Sequence, residues 1–176
     1  MGKPSSPEKV KLIIGFIAKD VSLFEKASRQ LERKFSNIDY RSQIIDFTQT
    51  EYYKQEFGVG LKRQFISFRR LICQDALADI KIFTNNLENK LTIQGKRRIN
   101  IDPGYISLSK VILATTKDFV HRIYLRKGIF AETTLYYKDN RYNEGQWTYP
   151  DYRSVVYKDI FTKIREIYKF QHDGKV

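Results

Sequence analysis

Between Lys96 and Glu132 the chain reads KRRINIDPGYISLSKVILATTKDFVHRIYLRKGIFAE, the stretch in which basic, acidic and β-branched residues alternate most densely. Arg97, Arg98, Lys117, His121 and Arg122 are residue types that ligate phosphate, while Asp102, Asp118 and Glu132 can hold Mg²⁺ or act as a base. Phosphoryl or hydrolytic chemistry needs that mixture: cations to neutralise developing charge, and carboxylates to hold a metal. The sharpest assignment makes His121 the acid or base and Asp118 with Glu132 the metal pair. Each residue also has a plainer reading. His121 can be a half-buried, hydrogen-bonded side chain; Glu132 and Arg122 a cross-strand ion pair worth under about 1 kcal/mol; and Asp102, before Pro103-Gly104, a turn-former.

The elements that position these residues are expected to be antiparallel strands. From Gly95 onward the periodicity is two, over Arg98–Ile101, Lys110–Thr115, His121–Leu125 and Ile129–Tyr137, with turns at Asp102-Pro103-Gly104 and Arg126-Lys127-Gly128. A hairpin closed by Arg126 to Gly128 brings His121 or Arg122 to within about 5 Å of Glu132 across the strands. Lys117 and Asp118 then fall at the preceding turn, and 138–146 reads as a polar loop. Trp147 to Ser154, WTYPDYRS, is aromatic for a loop and is expected to fold over this region, presenting Tyr149, Asp151 and Arg153 to one cleft. Tyr105 and Tyr149 are among the tyrosines that, set between Lys and Arg, invite a stacking role toward RNA bases. The characteristic aromatic strand of RNA-recognition motifs is missing.

Upstream, Lys11–Ala18 is a continuous apolar run, read as a strand buried on both faces. Asp20 caps a helix whose Leu23, Phe24, Ala27, Leu31 and Phe35 recur at helical spacing, and Tyr40–Phe47 is a second strand. Thr48 and Glu51 have capping-box spacing and predict a brief helix ended by Gly58. Gly60–Phe68 is read as a strand, and Asp75 as the cap of a helix carrying Leu77, Ile80, Thr84 and Leu87. Ser154 caps a final helix with Val156, Ile160, Ile164, Ile167 and Tyr168. The order is that of an α+β, ferredoxin-like split βαβ core, extended by an antiparallel β-meander and a C-terminal helix. Residues 11–170 form a single domain between a flexible leader, 1–10, and a flexible tail, 171–176.

The 176 residues carry 32 Lys and Arg against 20 Asp and Glu, a formal charge of +12, which favours polyanionic partners. The one cysteine, Cys73, forms no intramolecular disulfide and is expected as a buried structural thiol; the expected compartment is cytoplasmic. Metal-ligand spacings such as CxxC and HExxH are absent. No apolar run approaches membrane-spanning length.

Asp46-Phe47-Thr48 with Tyr52-Tyr53, Gly60 to Arg63, Phe65 to Phe68, Leu77 to Lys81, Thr84-Asn85 and Leu87-Glu88 carry a resemblance. It continues through Arg97-Arg98, Asn100 to Tyr105, Leu113 to Asp118, His121 to Leu125, Gly128 to Glu132 and Trp147 to Ser154. In these segments the chain resembles the bacterial and archaeal domain-of-unknown-function family 4416. Phe130 stands where the family pattern leads one to expect Tyr, and Cys73-Gln74 where an acidic-Pro pair is common. Some members carry a GTP-binding label, so the resemblance implies a nucleotide ligand such as GTP. The residues give that label little support: there is no Walker A loop, Gly58-Val59-Gly60 lacks a third glycine, and Thr116-Lys117-Asp118 is one residue too short for the guanine-reading motif. The expectation is therefore an anionic ligand, either a nucleotide or a phosphorylated RNA terminus, in a mixed basic and acidic cleft with Mg²⁺ as the candidate cofactor. A non-catalytic RNA-binding module and an interaction protein that docks a larger partner are the alternatives.

Overall fold

The computed structural model describes residues 2–48 and 57–174. These build one nine-stranded sheet and three α-helices. The strands are β1 (Lys11–Ala18), β2 (Ile38–Arg41), β3 (Ile45–Asp46), β4 (Lys62–Phe68), β5 (Ile99–Ile106), β6 (Lys110–Thr115), β7 (Ile123–Arg126), β8 (Ile129–Lys138) and β9 (Arg141–Glu144). The helices are α1 (Ser22–Lys34), α2 (Leu77–Lys90) and α3 (Val155–His172). The strand order is β2-β4-β1-β5-β6-β8-β7, with β3 paired to β4 and β9 to β8. All pairings are antiparallel. Its first four strands, joined through α1 and α2, are the ferredoxin-like core that the element order predicts; the rest is the antiparallel extension. No helix among the described residues is long and apolar enough to cross a membrane.

The core explains why β1 reads as an unbroken apolar run. Leu12, Ile14, Phe16 and Ala18 pack with α1, α2, β4 and β5 on one face, through Leu23, Phe24, Leu31, Ile80, Leu87 and Ile101. On the other face Ile13 joins Phe65, Val111, Leu113 and the α3 residues Tyr157, Ile160, Phe161 and Ile164. A strand covered on both sides needs no polar alternation. Ser154 caps α3 by accepting from Tyr157 N at 3.3 Å, and Asp20 Oδ1 accepts from Ser22 N at 3.0 Å at the start of α1.

Several expectations are corrected. Asp102-Pro103-Gly104 is not a turn: it lies inside β5, opposite Gly15, Ile14 and Ile13 of β1. β6 pairs with β5 only from Gly104 onward, so Pro103 stands where that side of the strand has no ladder and its missing N–H is tolerated. The stretch 40–47 is two short strands, with Ser42 between them bonding Phe65 through backbone and hydroxyl. Asp75 falls within a 3₁₀ turn, Gln74–Ala76, and does not cap α2. His121 and Arg122 precede β7 in a turn. The polar segment after Lys138 is a hairpin, closed by Asp139 and Asn140 in the left-handed region with φ of 53° and 59°. The Arg126–Gly128 turn forms as expected, Lys127 and Gly128 both having positive φ. Cys73 is exposed, not buried. The helix expected around Glu51 lies outside the described residues.

Candidate functional site

The site is a consequence of the fork between β5 and β6. At Gly104 the strands touch so closely that a Cβ would sit 2.3 Å from the Ile112 carbonyl oxygen. On the far side of Gly104 they part, and a cavity of about 660 Å³ opens between them. That volume lies within the range of small-molecule sites. Strand alternation places Arg63 of β4, Asn100 and Asp102 of β5, Thr115 of β6 and Glu132 of β8 on the sheet face that α3 covers elsewhere. Beyond the end of the α3 contact the apolar pattern gives way to these polar residues, and all of them line the cavity. From α2, Lys81, Asn85, Glu88 and Asn89 enter through the fork.

Arg63 forms the floor. It is 1% exposed, and Gly15 makes room for it, since a Cβ there would meet its Nη2 at 2.9 Å. Its guanidinium lies 4.5 Å from the ring centre of Phe65 and 5.4 Å from that of Tyr152, and its Nη2 donates to the Tyr152 hydroxyl at 2.6 Å. Asp102 is the nearest carboxylate, at 3.6 Å from Nη1, and it is shared with Lys81 Nζ at 3.4 Å. Nε has no partner. Asn100 donates to Asp102 at 2.5 Å and accepts from Arg97 at 3.2 Å. Arg97 also reaches Glu88 Oε2 at 2.9 Å, while Glu88 Oε1 accepts from Ile101 N at 2.6 Å.

A second network forms the rim. Glu132, 3% exposed, accepts at one oxygen from Arg122 Nε at 2.7 Å and sits 3.1 Å from His121 Nε2. Arg122 further donates to the Lys117 carbonyl at 3.0 Å and to the Tyr149 hydroxyl at 2.7 Å. His121 is stacked by Trp147, with ring centres 5.4 Å apart and planes within 8°. The segment 147–154 is pinned across the opening by Thr148, whose hydroxyl donates to the Thr134 carbonyl at 2.6 Å, and contributes Tyr149, Asp151 and Tyr152 to the lining.

Of the residues singled out in the sequence, Arg97, Asp102, Lys117, Arg122, Glu132, Tyr149 and Asp151 line this cavity. His121 and Tyr105 instead border a smaller cavity of about 320 Å³, to which Glu132 also belongs. Arg98 is outside, paired with Asp20 at 3.0 Å. Arg153 is turned to carbonyls of its own loop, Thr148 at 3.0 Å and Gln146 at 3.1 Å. Asp118 is exposed and absent from the lining, which separates it from its intended role beside Glu132. Among the described residues no three of His, Cys, Asp and Glu are grouped so as to hold a metal. Sequence reasoning missed Arg63, Lys81, Asn85 and Glu88. Lys81, Asn85 and Glu88 are spaced i, i+4, i+7, a polar stripe beside the apolar one, and that was their signal.

Burial raises the pKa of Asp151, opposed by Arg63, and burial likewise raises that of Glu88, opposed by Lys81. Tyr149 is pushed up to about 12 by burial and by the facing Glu132, so it remains a neutral hydroxyl. For Asp151 a raised folded value means that its contribution to stability is fully present below its ordinary value of 3.8 and is lost as pH rises through the folded value. Asp151→Asn stays neutral throughout. Its stability relative to the parent protein is therefore expected to increase as pH climbs from about 4 toward neutrality, read as the difference in urea midpoints across that range.

The fold and site together define an α+β domain of ferredoxin-like core with a roofed, mixed-charge cleft at a strand fork. Residues 8–168 match the description domain of unknown function (DUF4416), and the chain belongs to that family. No curated protein and no solved structure matches it.

Proposed function

We propose that the cleft binds a small phosphate-bearing ligand, a nucleotide or the phosphorylated end of an RNA. The observation that carries this reading is Arg63: a guanidinium fully withdrawn from water, one N–H unpaired, sharing its nearest carboxylate with a second cation, Lys81. Asp151 also faces Arg63 and Glu88 faces Lys81, so the cluster is mixed in charge; the unpaired Nε and the 3.6 Å gap to Asp102 leave Arg63 hydrogen-bonding capacity that the oxygens of an anion can take up. Lys117 and Arg122 extend the positive lining to the rim, while Asn85, Asn89 and Asn100 offer amide donors and acceptors to a sugar or base edge. Tyr149 and Tyr152 exclude water from above, which strengthens the electrostatic contacts beneath.

A thermal-shift panel of nucleoside mono-, di- and triphosphates, run with and without Mg²⁺, tests the reading. A ligand present at 100 times its Kd stabilises by about 2.7 kcal/mol, or roughly 5–10 °C for a domain of this size. At least one member of the panel is expected to give that shift while the parent nucleoside does not. A panel without any shift at millimolar ligand would overturn the proposal and favour an interaction protein. The Mg²⁺ arm shows whether a cation arrives with the phosphates.

A further inference from the structure

Resting on that reading of the cleft, we infer that its occupant is the end of a single-stranded polynucleotide, whose adjoining bases stack on an aromatic row at the cleft mouth. Phe119 is 54% exposed and lies 5.6 Å edge-on to His121; His121 is stacked on Trp147, itself 44% exposed. On β7, the edge strand, Tyr124, 59% exposed, stands on the cleft face with Phe130, ring centres 5.3 Å apart, while Ile123, 72% exposed, stands on the opposite face beside His121 and Trp147. This row is continuous with the cleft. Its loop supplies Thr116, Lys117 and Arg122 to the lining, and Tyr149, two residues beyond Trp147, is both a lining residue and the partner of Arg122.

A ligand confined to the cavity makes no use of large rings standing in water outside it. A strand does. Every base has a π-face, so exposed rings in series form a sequence-tolerant platform, and flanking cations follow the backbone. Lys127, exposed, and Arg126, half-buried, lie at the far end of β7, both bonded to Asp79, and the chain's surplus of +12 complements a polyanion. Phosphate at Arg63 and bases on Phe119 and Tyr124 give a polarity to the bound strand: the terminus inside, the body outside.

Fluorescence anisotropy with short RNA and DNA single strands carrying a terminal phosphate, in competition with the matching mononucleotide, reads this directly. The strands are expected to bind at least tenfold more tightly than the mononucleotide. Phe119→Ala and Tyr124→Ala, both at exposed positions, should each weaken strand binding about tenfold and leave mononucleotide affinity unchanged. The RNA and DNA arms distinguish the sugar. Equal affinity for strand and mononucleotide overturns this inference while leaving the cleft reading intact; failure of both ligands overturns both. If Phe119→Ala leaves strand binding unaltered but dissociates a dimer in size-exclusion chromatography, the row is a self-association surface and the inference falls.

Discussion

Arg63→Ala is expected to lower folding stability by about 3–5 kcal/mol, a drop in Tm of roughly 10–15 °C. The truncation leaves a void between Phe65, Tyr152 and Tyr157, removes the donor to the Tyr152 hydroxyl and strips Asp102 of one of its two cations. Arg63→Met has a different consequence. Its side chain fills the same aromatic box, and Asp102 keeps Lys81 and Asn100, so stability should return to within about 1 kcal/mol of the parent protein. Urea denaturation of the two variants checks the pair. A methionine variant as unstable as the alanine one would mean that the charge itself holds the fold together, and the case for keeping it as a ligand contact would weaken.

The second large effect is at Glu132. Arg122 is 10% and His121 16% exposed in their side chains, and both converge on one oxygen of this carboxylate. Glu132→Ala is expected to cost about 3 kcal/mol, because a nearly buried guanidinium loses its counter-charge; Glu132→Gln, which keeps an acceptor, should cost about half of that. A double-mutant cycle with Arg122→Met measures the coupling, expected at about 1.5–3 kcal/mol. Additive losses would show that the pair is a surface-like contact whose removal leaves the rim intact.

How much of this was legible before the structure follows from what sequence patterns encode. The split βαβ order, the doubly buried β1 and the Ser154 cap were readable because each rests on local chemistry or on hydrophobic period. Asp102-Pro103-Gly104 misled because its composition is that of a turn, whereas the ladder to β1 and the fork at Gly104 are tertiary facts. Arg63 was invisible for a related reason: Lys62-Arg63-Gln64 reads as a polar run at the start of a strand, and only the tertiary packing of Tyr149 to Tyr152 over it encloses the one member that shares a face with Leu61 and Phe65. Lys117, Arg122, Glu132, Tyr149 and Asp151 line one cavity, and their residue types already converge in the sequence near one hairpin and one loop. Asp118 and Arg98 shared those types, but their backbone positions carry them outside. Nearly all the lining residues fall in the segments that carry the family resemblance, Arg63, Lys81 and Glu88 included.

The most direct test of the central claim, that Arg63 marks an anion site, is calorimetric titration of a nucleoside phosphate into the parent protein and into Arg63→Met. Saturable binding to the parent protein that weakens as salt is raised is expected, with at least a hundredfold weaker binding to a methionine variant that remains folded. Equal affinity in the two proteins, or binding indifferent to salt, would contradict it.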